Sequence, residues 1–116
     1  MAEAFAEALR SFSLAFPHAR EEFAFGPGHA VYKAANGKMF AIVSGDEAAT
    51  YVTLKLTPDE AEEALTLPFV SPAPYLGRHH WVRTTIIDDA ELEMTFQWVS
   101  RSHELVTLRP ARKKRQ

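Results

Sequence analysis

Apolar residues recur at helical spacing in the first segment of the chain. One stripe of such a helix would carry four large apolar side chains, Phe5, Leu9, Phe12 and Phe16. Pro17 follows at once, and the residue before a proline is disfavoured in the helical region. The pattern therefore predicts a helix over Ala2–Phe16 whose apolar stripe packs into a core.

From residue 23 the apolar period changes to two, which is typical of β-strands. Asn36-Gly37 is a strong hairpin signal, because a type I′ turn needs positive φ at both central residues. The predicted strands, joined by tight turns, are His29–Ala35, Lys38–Ser44 and Thr50–Leu56. In the third strand alternate residues separate into an apolar set and a polar set. One face of the sheet would therefore be covered by helices and the other left open.

Two capping patterns mark the beginnings of the later helices. Thr57 and Glu60 form a capping box around Pro58, which suits the first helical position, and Asp88 and Glu91 repeat the box. The remaining predicted elements are a helix at Pro58–Leu67, a loop at Pro68–Gly77, a strand at His79–Ile87 and a helix over roughly Asp89–Leu108. This order predicts an α+β fold, a two-layer sandwich with helices packed on one face of an antiparallel sheet.

Length and charge distribution define one domain with a basic end. The 116 residues fit a single domain, and 47% hydrophobic residues are enough to form a core. We assign residues 1–108 to this domain and residues 109–116 to a basic, flexible tail. The formal net charge is only -2, yet 5 of the 13 basic residues lie in the tail, which has no acid. The near-neutral total therefore hides an acidic domain joined to a basic tail.

The N-terminal segment lacks the features of a secretory signal. Glu3 and Glu7 stand where such a signal carries positive charge. No apolar run approaches the roughly 18 residues of a membrane span. We therefore expect a cytoplasmic protein without membrane contact.

No catalytic or metal-binding motif is apparent in the sequence. There is no cysteine, the five histidines include no HExxH motif, and the serines lack a GxSxG context. His79 and His80 are adjacent on a predicted strand, so their side chains would leave on opposite faces. His103 falls on the apolar stripe of the last helix, where a buried neutral imidazole is expected. We expect no enzymatic activity, no cofactor and no metal centre.

The open face of the predicted sheet combines aromatic and basic side chains. If the apolar set of each strand faces the core, then Tyr51, Trp81 and Arg83 project outward. Such a face suits stacking on bases and pairing with phosphates. Alternatively, it is a solvated face, or one covered by the C-terminal segment. The candidate nucleic-acid-binding residues are Lys33, Lys38, Tyr51, Lys55, Arg78, Trp81, Arg83, Arg112, Lys113, Lys114 and Arg115.

Several segments of the chain resemble the MmcQ/YjbR family. They are Phe16-Pro17, Phe25-Gly26, Gly37-Lys38-Met39-Phe40-Ala41, Leu54-Lys55-Leu56, Pro72-Ala73-Pro74-Tyr75-Leu76, His80-Trp81-Val82 and Ser102-His103-Glu104-Leu105-Val106. The resemblance implies a single α/β domain similar to the frataxin-like fold and a DNA-binding function of the sheet. This chain has His103 where the family usually has tyrosine. That departure argues against a role for a phenol there and offers a pH-sensitive contact.

Two other classes of function compete with weak, salt-sensitive nucleic-acid binding. A protein-interaction or metal-binding surface would use the acids near the first helix, Glu3, Glu7, Glu21 and Glu22. Glu3 and Glu7 share one helix face and could offer oxygen ligands to a hard cation. An enzyme would instead need a pocket near Trp81 and the Pro72–Gly77 loop. The leading hypothesis is a non-enzymatic module that binds nucleic acid.

Overall fold

The structure is a computed structural model that describes residues 2–74 and 76–108, with the backbone alone at residues 2, 3 and 78. Its helices are α1 (Ala2–Leu14), α2 (Pro58–Ala64) and α3 (Asp89–Thr107), with a short 3-10 helix at Gly77–His79. Its strands are β1 (Arg20–Glu22), β2 (Ala30–Lys33), β3 (Met39–Gly45), β4 (Thr50–Lys55), β5 (Val70–Pro72) and β6 (Trp81–Ile86). Tyr75 and the basic tail, including Arg112, Lys113, Lys114 and Arg115, lie outside the described residues.

The six strands form one antiparallel sheet in the order β1-β2-β3-β4-β6-β5. Helices α1 and α3 pack against β3 and β4 on the same side as the core. We call the face beneath the helices the inner face and the opposite one the outer face. The predicted α+β architecture, an antiparallel sheet with helices packed on it, is confirmed.

Side chains along β4 and β6 alternate between the core and the outer face as the sequence pattern predicts. Val52 and Leu54 of β4, together with Val82 and Ile86 of β6, are almost completely buried. Each of these side chains contributes about 1.5–3 kcal/mol to the free energy of folding through its burial. The residues between them are partly exposed on the outer face. The inner face is therefore a continuous apolar surface beneath the helices.

Both edges of the sheet are three-residue strands that the sequence pattern does not reveal, because three residues are too few to display a period. β5 lies within the segment predicted as the loop Pro68–Gly77. On β1, Glu21 points to the inner face, where it accepts hydrogen bonds from the Tyr32 hydroxyl (2.8 Å) and Arg10 Nε (3.1 Å). An inward-pointing charge on an edge strand opposes pairing with a further strand. Burial raises the pKa of Tyr32, so its hydroxyl stays protonated and donates.

The β2–β3 connection differs from the predicted type I′ turn. Gly37 has a positive φ of 86°, whereas the φ of Asn36 is not positive. The Gly37 N–H donates to the Ala34 carbonyl (2.9 Å), which places Ala35 and Asn36 at the centre of the turn. The Asn36 side-chain amide then donates to the carbonyl of Val106 near the end of α3 (2.9 Å). This bond joins the hairpin to α3 and gives a partner to one of the last carbonyl groups of that helix.

A β-bulge in β3 sets the direction of a core aromatic ring. Tyr32 lies opposite Ala41 and Lys33 lies opposite Met39, so Phe40 has no partner on β2. Phe40 is completely buried within the core, whereas Met39 is partly exposed. The bulge therefore lets the consecutive residues Phe40 and Ala41 both face the core and leaves Met39 on the outer face.

The Ser102 hydroxyl completes the hydrogen bonding at this bulge. It donates to the Phe40 carbonyl (2.7 Å) and accepts from the Lys55 N–H on β4 (2.9 Å). Ser102 is completely buried, so neither backbone group has water as an alternative partner. A side chain of α3 thus takes the place of a hydrogen bond between two strands.

An aromatic stack beside the bulge packs α3 against the segment that follows α1. Helix α1 ends at Leu14 rather than at the predicted Phe16, and the Phe16 ring stacks on His103 at 4.0 Å. The Phe40 ring meets His103 edge-on at 4.9 Å. His103 is partly rather than completely buried, and this burial lowers the pKa of its imidazole. The neutral ring expected from the sequence is therefore the favoured form.

Both predicted capping boxes are present. Thr57 and Glu60 bond reciprocally at the start of α2, and Asp88 and Glu91 do so at the start of α3. Helix α2 ends at Ala64, one turn earlier than predicted. Among the described residues, no helix is both long enough and apolar enough to cross a membrane.

Replacing Ser102 with alanine should lower the free energy of unfolding by roughly 2 kcal/mol, because a buried carbonyl and a buried N–H both lose their partner. Urea denaturation followed by circular dichroism measures this loss. Ser100→Ala on the same helix is the control, since Ser100 is only partly buried and forms no hydrogen bond through its side chain among the described residues. Equal effects of the two substitutions would contradict the bridging role of Ser102.

The stability of the protein should fall as the pH is lowered below about 6.5, the ordinary pKa of histidine. The unfolded chain protonates His103 near that pH, whereas the folded chain, whose imidazole has a lowered pKa, does so only at lower pH. His103→Phe should remove this part of the pH dependence, and His79→Gln, at an exposed position, should retain it. Urea midpoints between pH 8 and pH 5 provide the measurement. Parallel curves for wild type and His103→Phe would refute the assignment.

Candidate nucleic-acid interface

The strand register places a row of basic residues on the outer face. Arg20 of β1 lies opposite Lys33 of β2, and Lys55 lies on β4 at the same end of the sheet. We call these three residues the basic row. Lys33 and Lys55 are separated by one strand, so their backbones lie roughly 10 Å apart. Lys38 is exposed in the β2–β3 turn at this same end.

Part of the charge of the basic row is neutralised by a carboxylate. Glu22 of β1 forms an ion pair with Lys33 Nζ at 2.9 Å and a longer one with Arg20 Nε at 3.7 Å. The hydrogen bond from Lys33 lowers the pKa of Glu22, so this carboxylate stays charged. Lys38 and Lys55 have no such partner among the described residues. They are therefore the cations at this end that remain available to an external anion.

Arg83, Tyr51 and Asp46 form a second cluster farther along the outer face. The Arg83 guanidinium carbon lies 4.0 Å from the centre of the Tyr51 ring, a cation–π contact. The Tyr51 hydroxyl donates to Asp46 Oδ2 at 2.9 Å. This hydrogen bond lowers the pKa of Asp46 and raises the pKa of Tyr51. One face of the Tyr51 ring is thus already occupied by Arg83.

The predicted exposure of Trp81 is wrong. Trp81 lies opposite Lys55, yet it is only 9% exposed. Its backbone is hydrogen-bonded to the preceding segment: the Ala73 N–H donates to the Trp81 carbonyl (3.2 Å) and the Trp81 N–H to the Leu76 carbonyl (3.4 Å). Because Ala73 and Leu76 are bonded to the start of β6 and the side chain of Trp81 is buried, the indole is not a free stacking surface. Arg78 lies in the 3-10 helix of this segment, and its side chain is outside the description.

A concave apolar groove of about 530 Å³ crosses the outer face beside the Arg83 cluster. Met39, Ile42 and Thr53 form its floor. Two loops form its walls, with Phe25 on one side and Pro74 and Leu76 on the other. Arg83 also lines it, and no acidic residue does so within the described part of the chain. We call this feature the outer groove.

Phe25 belongs to a segment that the sequence pattern did not assign to any site. Gly26, Pro27 and Gly28 form a turn in which Gly26 has a φ of 114° and its carbonyl accepts from the His29 N–H (3.1 Å). The turn leaves Phe25 60% exposed at the mouth of the outer groove. Two phenylalanines just before a glycine-rich turn, Phe23 and Phe25, were the signal that could have marked this wall.

The acids near α1 form ion pairs within the domain. Arg10 bonds Glu21 at 3.1 Å and lies 3.7 Å from Glu7. Within the described residues, no group of three or more potential ligands is arranged to hold a metal ion, and the side chain of Glu3 lies outside the description. A separate cavity of about 280 Å³ borders Trp81 and is lined largely by apolar side chains. Neither the acidic residues near α1 nor the cavity beside Trp81 brings together a nucleophile and a base from the described part of the chain.

A family model for YjbR matches residues 14–105 of the chain. The chain belongs to the YjbR family. The match covers all six strands and the outer groove, and it confirms the resemblance drawn from the sequence segments.

Two solved structures share the fold of this YjbR chain. Deinococcus radiodurans protein DR2400, which has a domain designated DUF419, is 27% identical with a TM-score of 0.77, over 88% of this chain and 78% of that chain. A protein from Pseudomonas syringae is 16% identical with a TM-score of 0.67, over 85% of this chain and 96% of that one. The second likeness concerns the fold alone. No curated protein matches the chain. Nucleic-acid binding and the frataxin-like relationship both stay predictions.

Proposed function

We propose that this YjbR protein is a non-enzymatic nucleic-acid-binding module that uses its outer face. The observation that carries the proposal is that Lys55 and Arg83 lie on the outer face, with Lys38 in the turn at the Lys55 end, and that none of these three cations has an ion-pair partner among the described residues. Cations exposed on one side of the domain would pair with the phosphates of a nucleic-acid backbone and release its counterions. The basic tail would add further charge.

The proposed contacts are mainly electrostatic. Trp81 is withdrawn and one face of Tyr51 is covered, so the exposed ring of Phe25 is the best stacking surface that remains. The helices on the opposite side carry exposed acids such as Glu62, Glu63 and Glu93. These acids repel phosphates, so binding would be oriented, weak and sensitive to salt.

Neutralising two cations of the outer face should weaken duplex DNA binding roughly tenfold at low salt. The double variant Lys38→Gln/Lys55→Gln should also reduce the slope of log K against log salt by about 0.9 for each phosphate that the protein no longer neutralises. Fluorescence anisotropy with a labelled duplex between 25 and 200 mM salt measures both quantities. The matched control is Arg10→Gln/Arg101→Gln, which removes the same charge from the helical side.

Three outcomes of this titration contradict the proposal. The first is no binding by wild type at micromolar protein concentration and low salt. The second is equal weakening by the outer-face and helical-side variants, which would reveal an effect of total charge only. The third is loss of all binding on deletion of residues 109–116 alone, which would assign the affinity to a polycationic tail.

A further inference from the structure

The outer groove has the size and lining of a small-molecule site. Its volume of about 530 Å³ lies in the usual range for ligand pockets. Its floor and walls are built chiefly from Met39, Ile42, Phe25 and Leu76, which would contact an apolar body. The hydroxyl groups of Ser44 and Thr53 are the main polar features between them. A nucleic-acid backbone would use little of this apolar surface.

Arg83 is the one arginine among the described side chains that line the groove, which include no lysine and no carboxylate. Its Nε is shielded from solvent and has no hydrogen-bond acceptor within the described residues. The carboxylate of Asp46, which belongs to the same cluster, does not accept from Arg83. It accepts from the Tyr51 hydroxyl and from the N–H groups of Ala48 and Ala49. A shielded guanidinium donor without an acceptor is costly. A ligand acceptor would reach this guanidinium from the side of Arg83 that lines the groove.

The Tyr51 ring fixes the direction of this guanidinium. Contact at 4.0 Å from the ring centre limits the arginine rotamers, which lowers the entropy cost when a ligand binds. Arg83 is flanked by Thr53 on β4 and Ser71 on β5, neither of which is charged. The groove therefore offers one preoriented cation at the end of an apolar channel.

We propose that the outer groove binds a small molecule with an apolar body and a single carboxylate. Arginine pairs with a carboxylate through two parallel N–H···O bonds, and one guanidinium neutralises one carboxylate charge. A phosphate monoester carries nearly two charges at neutral pH and would leave one uncompensated beside apolar walls. This inference goes beyond nucleic-acid binding and does not depend on it.

The test uses octanoate and 4-phenylbutyrate as probes, with octylamine and 1-octanol as matched compounds that lack the carboxylate. Methyl NMR spectra of the full chain should show shifts at Met39 and Ile42 but not at Met94, which lies on α3. We expect the carboxylates to bind with a Kd on the order of 1 mM or lower. Arg83→Met should weaken them about tenfold or more, in line with the removal of a charge-assisted hydrogen bond.

Two further variants keep the test decisive if Arg83→Met alters the fold. Phe25→Ser changes an exposed wall residue, so it should leave stability unchanged and weaken carboxylate binding several-fold. Lys55→Met removes a cation from the outer face outside the groove lining and should leave carboxylate affinity unchanged.

Equal affinity for octanoate and octylamine, or unchanged affinity in Arg83→Met, would overturn the proposal. So would tighter binding of thymidine monophosphate than of either carboxylate, since the groove would then be a nucleotide subsite of the proposed nucleic-acid surface. Failure of duplex DNA to bind leaves the carboxylate result unaffected, so the two proposals fail separately.

Discussion

The Ser102 hydroxyl joins the helical layer to the sheet just beyond the Ala41–Leu54 pair, where the pairing of β3 with β4 ends. Phe40 and Lys55 would otherwise face each other with an unsatisfied carbonyl and an unsatisfied N–H in the core. Because the hydroxyl bonds both, the bulge can persist and Phe40 can turn toward His103. The same bulge leaves Met39 on the outer face, where it forms part of the groove floor. The packing of Phe40 in the core and the shape of the outer groove at Met39 therefore both depend on this bulge.

The cations of the outer face differ in whether a carboxylate of the domain pairs with them. Glu22 at the β1 edge is bound to Lys33, and Asp46 beyond β3 is held by its own turn and by Tyr51. Lys55 on β4 and Arg83 on β6, by contrast, form no ion pair among the described residues. The exposed acids of α2 and α3 lie on the opposite layer. Among the described residues, an anion would therefore meet fewer exposed acids at the outer face than at the helical layer.

Local signals were sufficient to predict most of the fold. The capping boxes at Thr57 and Asp88 and the alternation through Val52 and Leu54 depend on neighbouring residues, so the sequence reveals them directly. The short edge strands, the bulge at Phe40 and the burial of Trp81 depend on partners distant in the chain. Their prediction would require knowledge of the tertiary pairing. The hairpin is an intermediate case: Asn36-Gly37 marked its place, but the observed turn is centred on Ala35 and Asn36, and the Asn36 amide bonds to α3.

The burial of Trp81 changes the kind of contact that the outer face can make. A sheet with open aromatic rings holds single-stranded bases by stacking, whereas this sheet presents cations around an apolar groove. Phosphate contacts carry no direct sequence information, so recognition by Lys38 and Lys55 would be independent of base sequence. The groove differs because its lining and its single oriented guanidinium select for the shape and charge of a compact ligand. Arg83 is the residue common to both surfaces, and its contact with Tyr51 aligns it with the groove rather than with the basic row.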